Sequence, residues 1–463
     1  MRVLGSEFYG LWAILHAIVQ IAGVGTAGIS SIVNKFASES HLDSKKEFGG
    51  IITGGVIIVF FLSILTALIL IAVHGLIIDN IEISSASYQI QFKKAIFIIA
   101  FSLIPQFISR VYQGFLFSQL KHKLAKQIEL IYQIALWGGV VLISFWQKNL
   151  VLIALWCLLL TCLTLAAYVI TVKRAYDYQV KINSVIIRSM LKFSGYLFLE
   201  TLAITMFQQM DVVIVGITLG PSIAGIYSVG TSISVRLSSV TGQITEVMIP
   251  YASLKDSIND HQKLYSTYRR LSYYVSLLVA LIGAAAIIWM HELLTIWMSA
   301  DYAVKYGNFY QILIIAYCFI SLTRPAHQTL TGMGKVKFTS ITYAITMVLM
   351  LTSLYFLSKQ LGFLGAVLSD CLMILLMFYV IYTYQTLNNR IPWRDFFKDI
   401  GVGFFSPIIT YFIIHFVPGI GIKIAVSIIF LVSYIYIFLK DDWLKTEIKK
   451  LLQTHGKKGI KVN

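Results

Sequence analysis

Apolar residues in this chain come in long runs rather than in alternation. Stretches of about 20 residues with few charges recur from end to end, each long enough to cross a hydrocarbon core of about 30 Å as a helix. Thirteen such spans are predicted, at 8–34, 50–78, 92–117, 125–146, 149–172, 191–219, 222–250, 268–298, 305–331, 339–358, 362–384, 396–417 and 421–439. Barrel strands would be shorter and would alternate polar with apolar. The pattern therefore predicts an all-α, polytopic integral membrane protein.

The connections between spans alternate in charge. Those at 35–49, 118–126, 173–192, 253–270, 332–338 and 385–398 are rich in Lys and Arg, as is the tail 440–463, whereas the intervening ones are short and cation-poor. Lys93 and Lys94, at a helix start, are the main exception. Basic loops face the cytoplasm, so the C-terminus is expected there, and thirteen spans put Met1 on the outside. Residues 441–452 carry Trp443, Leu444, Ile448, Leu451 and Leu452 on one side, which suits either an interfacial helix or a solvated basic tail.

Composition agrees. The chain is 58% hydrophobic and only 13% charged, with mean hydropathy +0.79, which excludes an ordinary soluble domain. The net charge of +16 resides in the cytoplasmic connections, so it does not indicate a nucleic-acid partner. The four cysteines lie in apolar spans without metal-ligand spacing or a disulfide framework. Gly332-Met333-Gly334-Lys335 is no phosphate loop, because Thr329 stands where that motif needs Gly. There is no nucleophile–base constellation, metal cluster or nucleotide fingerprint, so an enzyme is not expected.

The chain repeats itself. LGSEFYGLWAI from Leu4 matches LGPSIAGIYSV from Leu219 at an offset of 215, pairing Gly10 with Gly225 and Trp12 with Tyr227. Phe36-Ala37-Ser38 meets Tyr251-Ala252-Ser253 at the same offset. At 214, Ile108-Ser109-Arg110 meets Leu322-Thr323-Arg324, and Lys121-His122-Lys123 meets Lys335-Val336-Lys337. Six spans separate equivalent positions, so the halves share one orientation, as in transporters built from parallel repeats. The expected organisation is an N-terminal bundle at 1–172, a cytoplasmic linker at 173–190, a C-terminal bundle at 191–384, two additional spans at 385–439 and the basic tail at 440–463. Span 191–219 precedes the second Leu-Gly motif. Its first-half equivalent would fall before Met1, so the chain is expected to begin one helix late, at thirteen of fourteen spans.

Of the 37 Lys and Arg, three lie well inside spans: Arg110, Arg236 and Arg324. A guanidinium in hydrocarbon is costly and faces a polar cavity or a partner. Arg110 and Arg324 each precede a basic connection by 11 residues, about 16 Å of helix, which is mid-membrane depth. Gln113 and His327 follow them at i+3 on the same face. Span 222–250 carries Ser228, Thr231, Ser234, Ser238 and Thr241 beside Arg236, and its repeat partner 8–34 carries His16, Gln20 and Thr26. These two spans are expected to line a central water-filled cavity, in which the planar forks of Arg110, Arg236 and Arg324, with Gln113 and His327, would bind a phosphate-bearing anion. A structural ion pair is the alternative for each Arg. The intramembrane acids Asp211, Asp370, Glu200 and Glu246 would either carry a coupling H⁺ or Na⁺ or pair with those arginines. No other cofactor is expected.

The opening Leu4, Gly5, Tyr9, Gly10, Leu11, Trp12 resembles the segment after the first helix of Wzx-type polysaccharide flippases. So does Asp211 followed by Leu219-Gly220 and Gly225-Ile226-Tyr227. These belong to the superfamily that includes lipid II flippases and MATE drug exporters, and the resemblance covers essentially the whole chain. It implies a MATE-like fold of two bundles about a central cavity, in the inner membrane of a bacterium. It also implies transfer of undecaprenyl-diphosphate-linked oligosaccharide to the outer leaflet by alternating access, for O-antigen, capsule or exopolysaccharide synthesis. Implied partners are that lipid-linked oligosaccharide, membrane lipids and the polysaccharide polymerase machinery. The family's first helix lines its cavity, and it is the one expected to be missing here. A MATE-like exporter of organic cations is the alternative, disfavoured by three buried arginines. A membrane O-antigen polymerase or ligase would need a large outer loop.

Overall fold

The computed structural model describes residues 5–23, 28–39, 45–119, 121–176, 179–388, 392–416 and 419–440. Among them every regular element is helical. The first half comprises α1 (Ser6–Ala22), α2 (Ile29–Glu39), α3 (Lys45–Asp79), α4 (Ala86–Ser118), α5 (His122–Trp146) and α6 (Leu150–Ala175). The 36-residue α7 (Ser184–Leu219) follows. The second half comprises α8 (Pro221–Thr245), α9 (Met248–Ser257), α10 (His261–Trp297), α11 (Ala300–Gly332), α12 (Val336–Leu361), α13 (Phe363–Asp370) and α14 (Phe378–Asn388). The last helices are α15 (Trp393–Phe416) and α16 (Ile420–Lys440). Nine helices among the described residues are long and apolar enough to cross a membrane. The 25-residue α8 is long enough but too polar to count among them.

The repeat is legible in the backbone. Helices α4 and α11 are both 33 residues long and are offset by 214 at both ends. The Leu-Gly motifs have a conformational reason: Gly5 (φ 84°, ψ 155°) and Gly220 (φ 84°, ψ 165°) occupy the same region, open essentially only to glycine, at the entrance to α1 and the exit from α7. Gly10 and Gly225 face each other. A Cβ on Gly10 would lie 1.6 Å from the Pro221 carbonyl oxygen, and one on Gly225 would lie 2.8 Å from the Gly10 nitrogen.

Three expected spans are interrupted. Span 8–34 divides into α1 and α2, with residues 24–27 outside the described set. Span 222–250 divides into α8 and α9. Pro250 lacks the N–H that a continuous helix would direct to the Glu246 carbonyl, so the chain restarts with that proline in the first turn of α9. Span 362–384 holds a seven-residue 3-10 stretch, Cys371–Met377, between α13 and α14.

The chain forms two compact units, one of residues 1–229 with 347–369, the other of 230–346 with 370–463. In the first, Ile32, Val33, Ile51, Val59, Phe107, Val111 and Phe115 form a buried core between α2, α3 and α4, closed by Tyr168 of α6. In the second, α10 packs on α11 and α15. There Arg269 binds Asp399 through Nε at 2.7 Å and Nη2 at 3.2 Å, and Asp395 through Nη1 at 2.9 Å, with the Tyr384 hydroxyl donating to Asp399 at 2.7 Å.

Candidate functional site

Two polar clusters grow from the repeated arginines, one in each unit. On α4, Gln106, Arg110 and Gln113 recur at helical spacing, and α5 presents Glu129, Tyr132 and Gln133 to the same recess. Thr161, Thr164 and Tyr168 of α6 complete its wall. Three transmembrane helices thus turn polar stripes toward one point, where any unpaired group would be costly. Arg110 Nη1 donates to Gln113 Oε1 at 2.8 Å and lies 3.7 Å from Glu129 Oε1. Lys126 holds the other carboxylate oxygen at 2.8 Å. The recess measures about 50 Å³, room for roughly three or four waters and far too little for a sugar chain.

The second cluster surrounds Arg324 on α11. Its Nε and Nη2 donate to the Ser238 hydroxyl of α8 at 3.3 and 3.0 Å, and its electrostatic neighbours are Tyr343 and Tyr379. His327 lies one turn on, its ring 5.4 Å from that of Tyr379. Its Nδ1 is buried without a hydrogen-bond partner among the described residues. Among the described residues no carboxylate pairs with Arg324.

The clusters are built on the same plan. The Tyr168 hydroxyl donates to the Ala125 carbonyl at 3.1 Å, and the Tyr379 hydroxyl to the Thr339 carbonyl at 2.7 Å, with the two acceptors 214 apart. The stretch 363–388 matches α6 in length at an offset of 213, yet its tyrosine comes two residues early. The 3-10 stretch accounts for this. It rises about 2.0 Å per residue against 1.5 Å, so seven residues gain about 3.5 Å, the rise of two α-helical residues.

The remaining expected site residues lie on α7, on and just after α8, and at the end of α13. Arg236 is exposed on α8, two residues from buried Ser238. Asp211 is buried on α7, where Oδ1 accepts the Val212 N–H at 2.7 Å and the Tyr227 hydroxyl is a further partner. Asp370 is fully buried at the start of the 3-10 stretch. Glu246 is exposed in the turn between α8 and α9. Glu200 falls on α7, but its side chain lies outside the described residues. Sequence reasoning missed Glu129. Its signal was present, since Glu129, Tyr132 and Gln133 form a polar i, i+3, i+4 stripe in an apolar span, eight residues beyond Lys121 and therefore near the depth of Arg110.

The family of polysaccharide biosynthesis proteins matches residues 1–305. The chain belongs to that family. A Shigella flexneri protein provisionally named an O-antigen transporter is 22% identical over 387 residues, spanning 81% of this chain and 89% of that protein. Among solved structures, lipid II flippase MurJ in an inward closed conformation aligns with a TM-score of 0.68 at 15% identity, over 95% of this chain and 97% of that one. An inward-facing multidrug resistance MATE family transporter of the MOP superfamily also gives 0.68, at 11% identity over 84% and 92%. The fold is therefore that of MATE and MurJ transporters. The resemblance carried by Leu4 to Trp12 and Leu219 to Tyr227 holds for family and fold. Within this polysaccharide biosynthesis protein, the matched segment ends in α11 ahead of Arg324, and contains all of the Arg110 cluster.

Proposed function

We propose that this chain is a flippase that carries diphosphate-linked oligosaccharide on a polyprenyl lipid across the inner membrane for surface polysaccharide assembly. The observation that carries the reading is Arg324. It is a half-buried guanidinium in a membrane helix, bonded to one serine hydroxyl, with no carboxylate partner among the described residues. Such a group is stable where it meets water or an anion. A diphosphate matches its planar fork bidentately, and a neighbouring His327 adds a polar edge. Exposed Arg236 of the same unit is proposed as a further phosphate contact, and Arg110 with Gln113 as a phosphate-binding cluster of the other unit in its own right. The prenyl tail would stay in lipid while the sugars contact serine and threonine hydroxyls of α8.

Family membership in polysaccharide biosynthesis supports the substrate class, as does similarity to a protein named for O-antigen transport and to a lipid II flippase. Alternating access is the mode this reading implies. Asp211 and Asp370, buried in the membrane region, are proposed to couple it to an H⁺ or Na⁺ gradient by differential protonation or ion binding in the two states. The test is a host lacking the gene, complemented with wild type, Arg110→Ala or Arg324→Ala. Complete polyprenyl-diphosphate repeat units should accumulate on the cytoplasmic side without the gene, clear with wild type and persist with either variant at normal protein levels. Surface polymer at wild-type levels in the deleted strain would sink the proposal.

A further inference from the structure

The Arg110 cluster carries a Glu129–Lys126 pair of charges that its repeat-related counterpart lacks, since Tyr343 and Ser340 stand at the equivalent positions. Glu129 on α5 stands where α12 carries Tyr343, at the shared offset of 214. Arg110 therefore has an internal anion, and Arg324 has none among the described residues. The Arg110–Glu129 contact is loose, at 3.7 Å, whereas Lys126 grips the same carboxylate at 2.8 Å. Gln113 sits between the charges. Its Oε1 accepts from Arg110 at 2.8 Å, and its Nε2 reaches toward Glu129 Oε2 at 3.5 Å. Neither charge is sealed off, since the Arg110 and Glu129 side chains are 42% and 29% exposed. The space between them is on the scale of a few waters, and so of one phosphate group.

We infer that Glu129 is a built-in counter-anion that masks Arg110 until a phosphate group enters the recess, and so sets the selectivity of this half of the protein for phosphate-bearing lipids. The natural ligand is taken from the flippase reading above. When phosphate arrives, Arg110 exchanges one distant carboxylate oxygen for a bidentate contact. Glu129 keeps Lys126, so its displacement leaves no bare carboxylate in apolar surroundings. A neutral lipid headgroup gains nothing from the exchange, because Arg110 is already compensated. Arg324 carries no such mask and attracts anions constitutively, so the halves divide recognition between a permanent site and a screened one.

The test is peptide-resolved modification of Arg110 by phenylglyoxal in the full-length protein in nanodiscs, with inorganic pyrophosphate or undecaprenyl diphosphate as protectant. Glu129→Gln should speed modification about threefold, the effect of a partly exposed ion pair, and lower the protecting pyrophosphate concentration by a similar factor. Lys126→Gln should act in the opposite sense and slow modification, because Glu129 then turns to Arg110 alone. A merely structural Glu129 would lower the melting temperature in both variants without these opposed rates. An unchanged rate in Glu129→Gln, rates moving the same way in both variants, or protection by neither phosphate compound would overturn the inference. Protection by pyrophosphate but not by undecaprenyl diphosphate would overturn the flippase reading and leave the counter-anion in place.

Discussion

The arginines show how one residue type takes different roles at repeat-equivalent positions. Arg110 and Arg324 share a register, yet the residue 19 positions on is Glu129 in one half and Tyr343 in the other. A carboxylate compensates a guanidinium and a phenol does not, so Glu129, shared with Lys126 where the other half has Ser340, gives Arg110 a counter-charge that Arg324 lacks among the described residues. Geometry as well as charge should matter at Arg324, because a lysine is a point charge without the planar fork. Arg324→Lys is expected to retain folded protein but lower transport about tenfold, measured as surface polysaccharide per unit of membrane-inserted chain. Arg324→Ala should abolish it. A lysine variant with full activity would show that charge alone suffices there. Arg269 belongs to another class, since its donors are taken up by Asp395 and Asp399. Arg269→Ala leaves the buried Asp399 carboxylate uncompensated and should cost about 3 kcal/mol or more, read as a fall in thermal midpoint of the detergent-solubilised protein.

At the level of elements, small residues and helix breaks do most of the positioning. The Gly10–Gly225 contact brings α1 and α8 so close that no side chain fits between them. Gly10→Val should therefore reduce the yield of folded protein sharply, with a loss of about 2–4 kcal/mol in stability, whereas Gly75→Ala, at a position with open space, should be silent. Thermal melts of the two variants check the pair. The 3-10 stretch after Asp370 has a defined consequence too, since it lets Tyr379 reach the Thr339 carbonyl as Tyr168 reaches that of Ala125, despite a register two residues short. Tyr379→Phe removes a buried donor from the Thr339 carbonyl and is expected to cost about 1 kcal/mol. The polar stripe of α5 was readable beforehand as i, i+3, i+4 spacing. Spacing places that stripe near the depth of Arg110 but does not say which neighbouring helix it faces. Only the packing of α5 against α4 shows that it reaches Arg110.

Over the whole molecule, the long apolar runs determined the all-helical membrane fold. The helix must satisfy its own backbone hydrogen bonds wherever water is absent, and that requirement acts on any chain of this composition. The repeat was likewise fixed in the sequence, since Leu-Gly at both positions encodes a backbone conformation that other residues avoid and the paired arginines mark equivalent depths. The break near Glu246 is local and follows from Pro250, whereas the 3-10 stretch after Asp370 and the Arg110–Glu129–Lys126 network were decided by tertiary structure, as was the difference between exposed Arg236 and half-buried Arg324. Each depends on which face of a helix meets a neighbour. In a membrane both faces are largely apolar, so periodicity carries little information about facing, and the partner of a buried charge emerges only when the helices are packed.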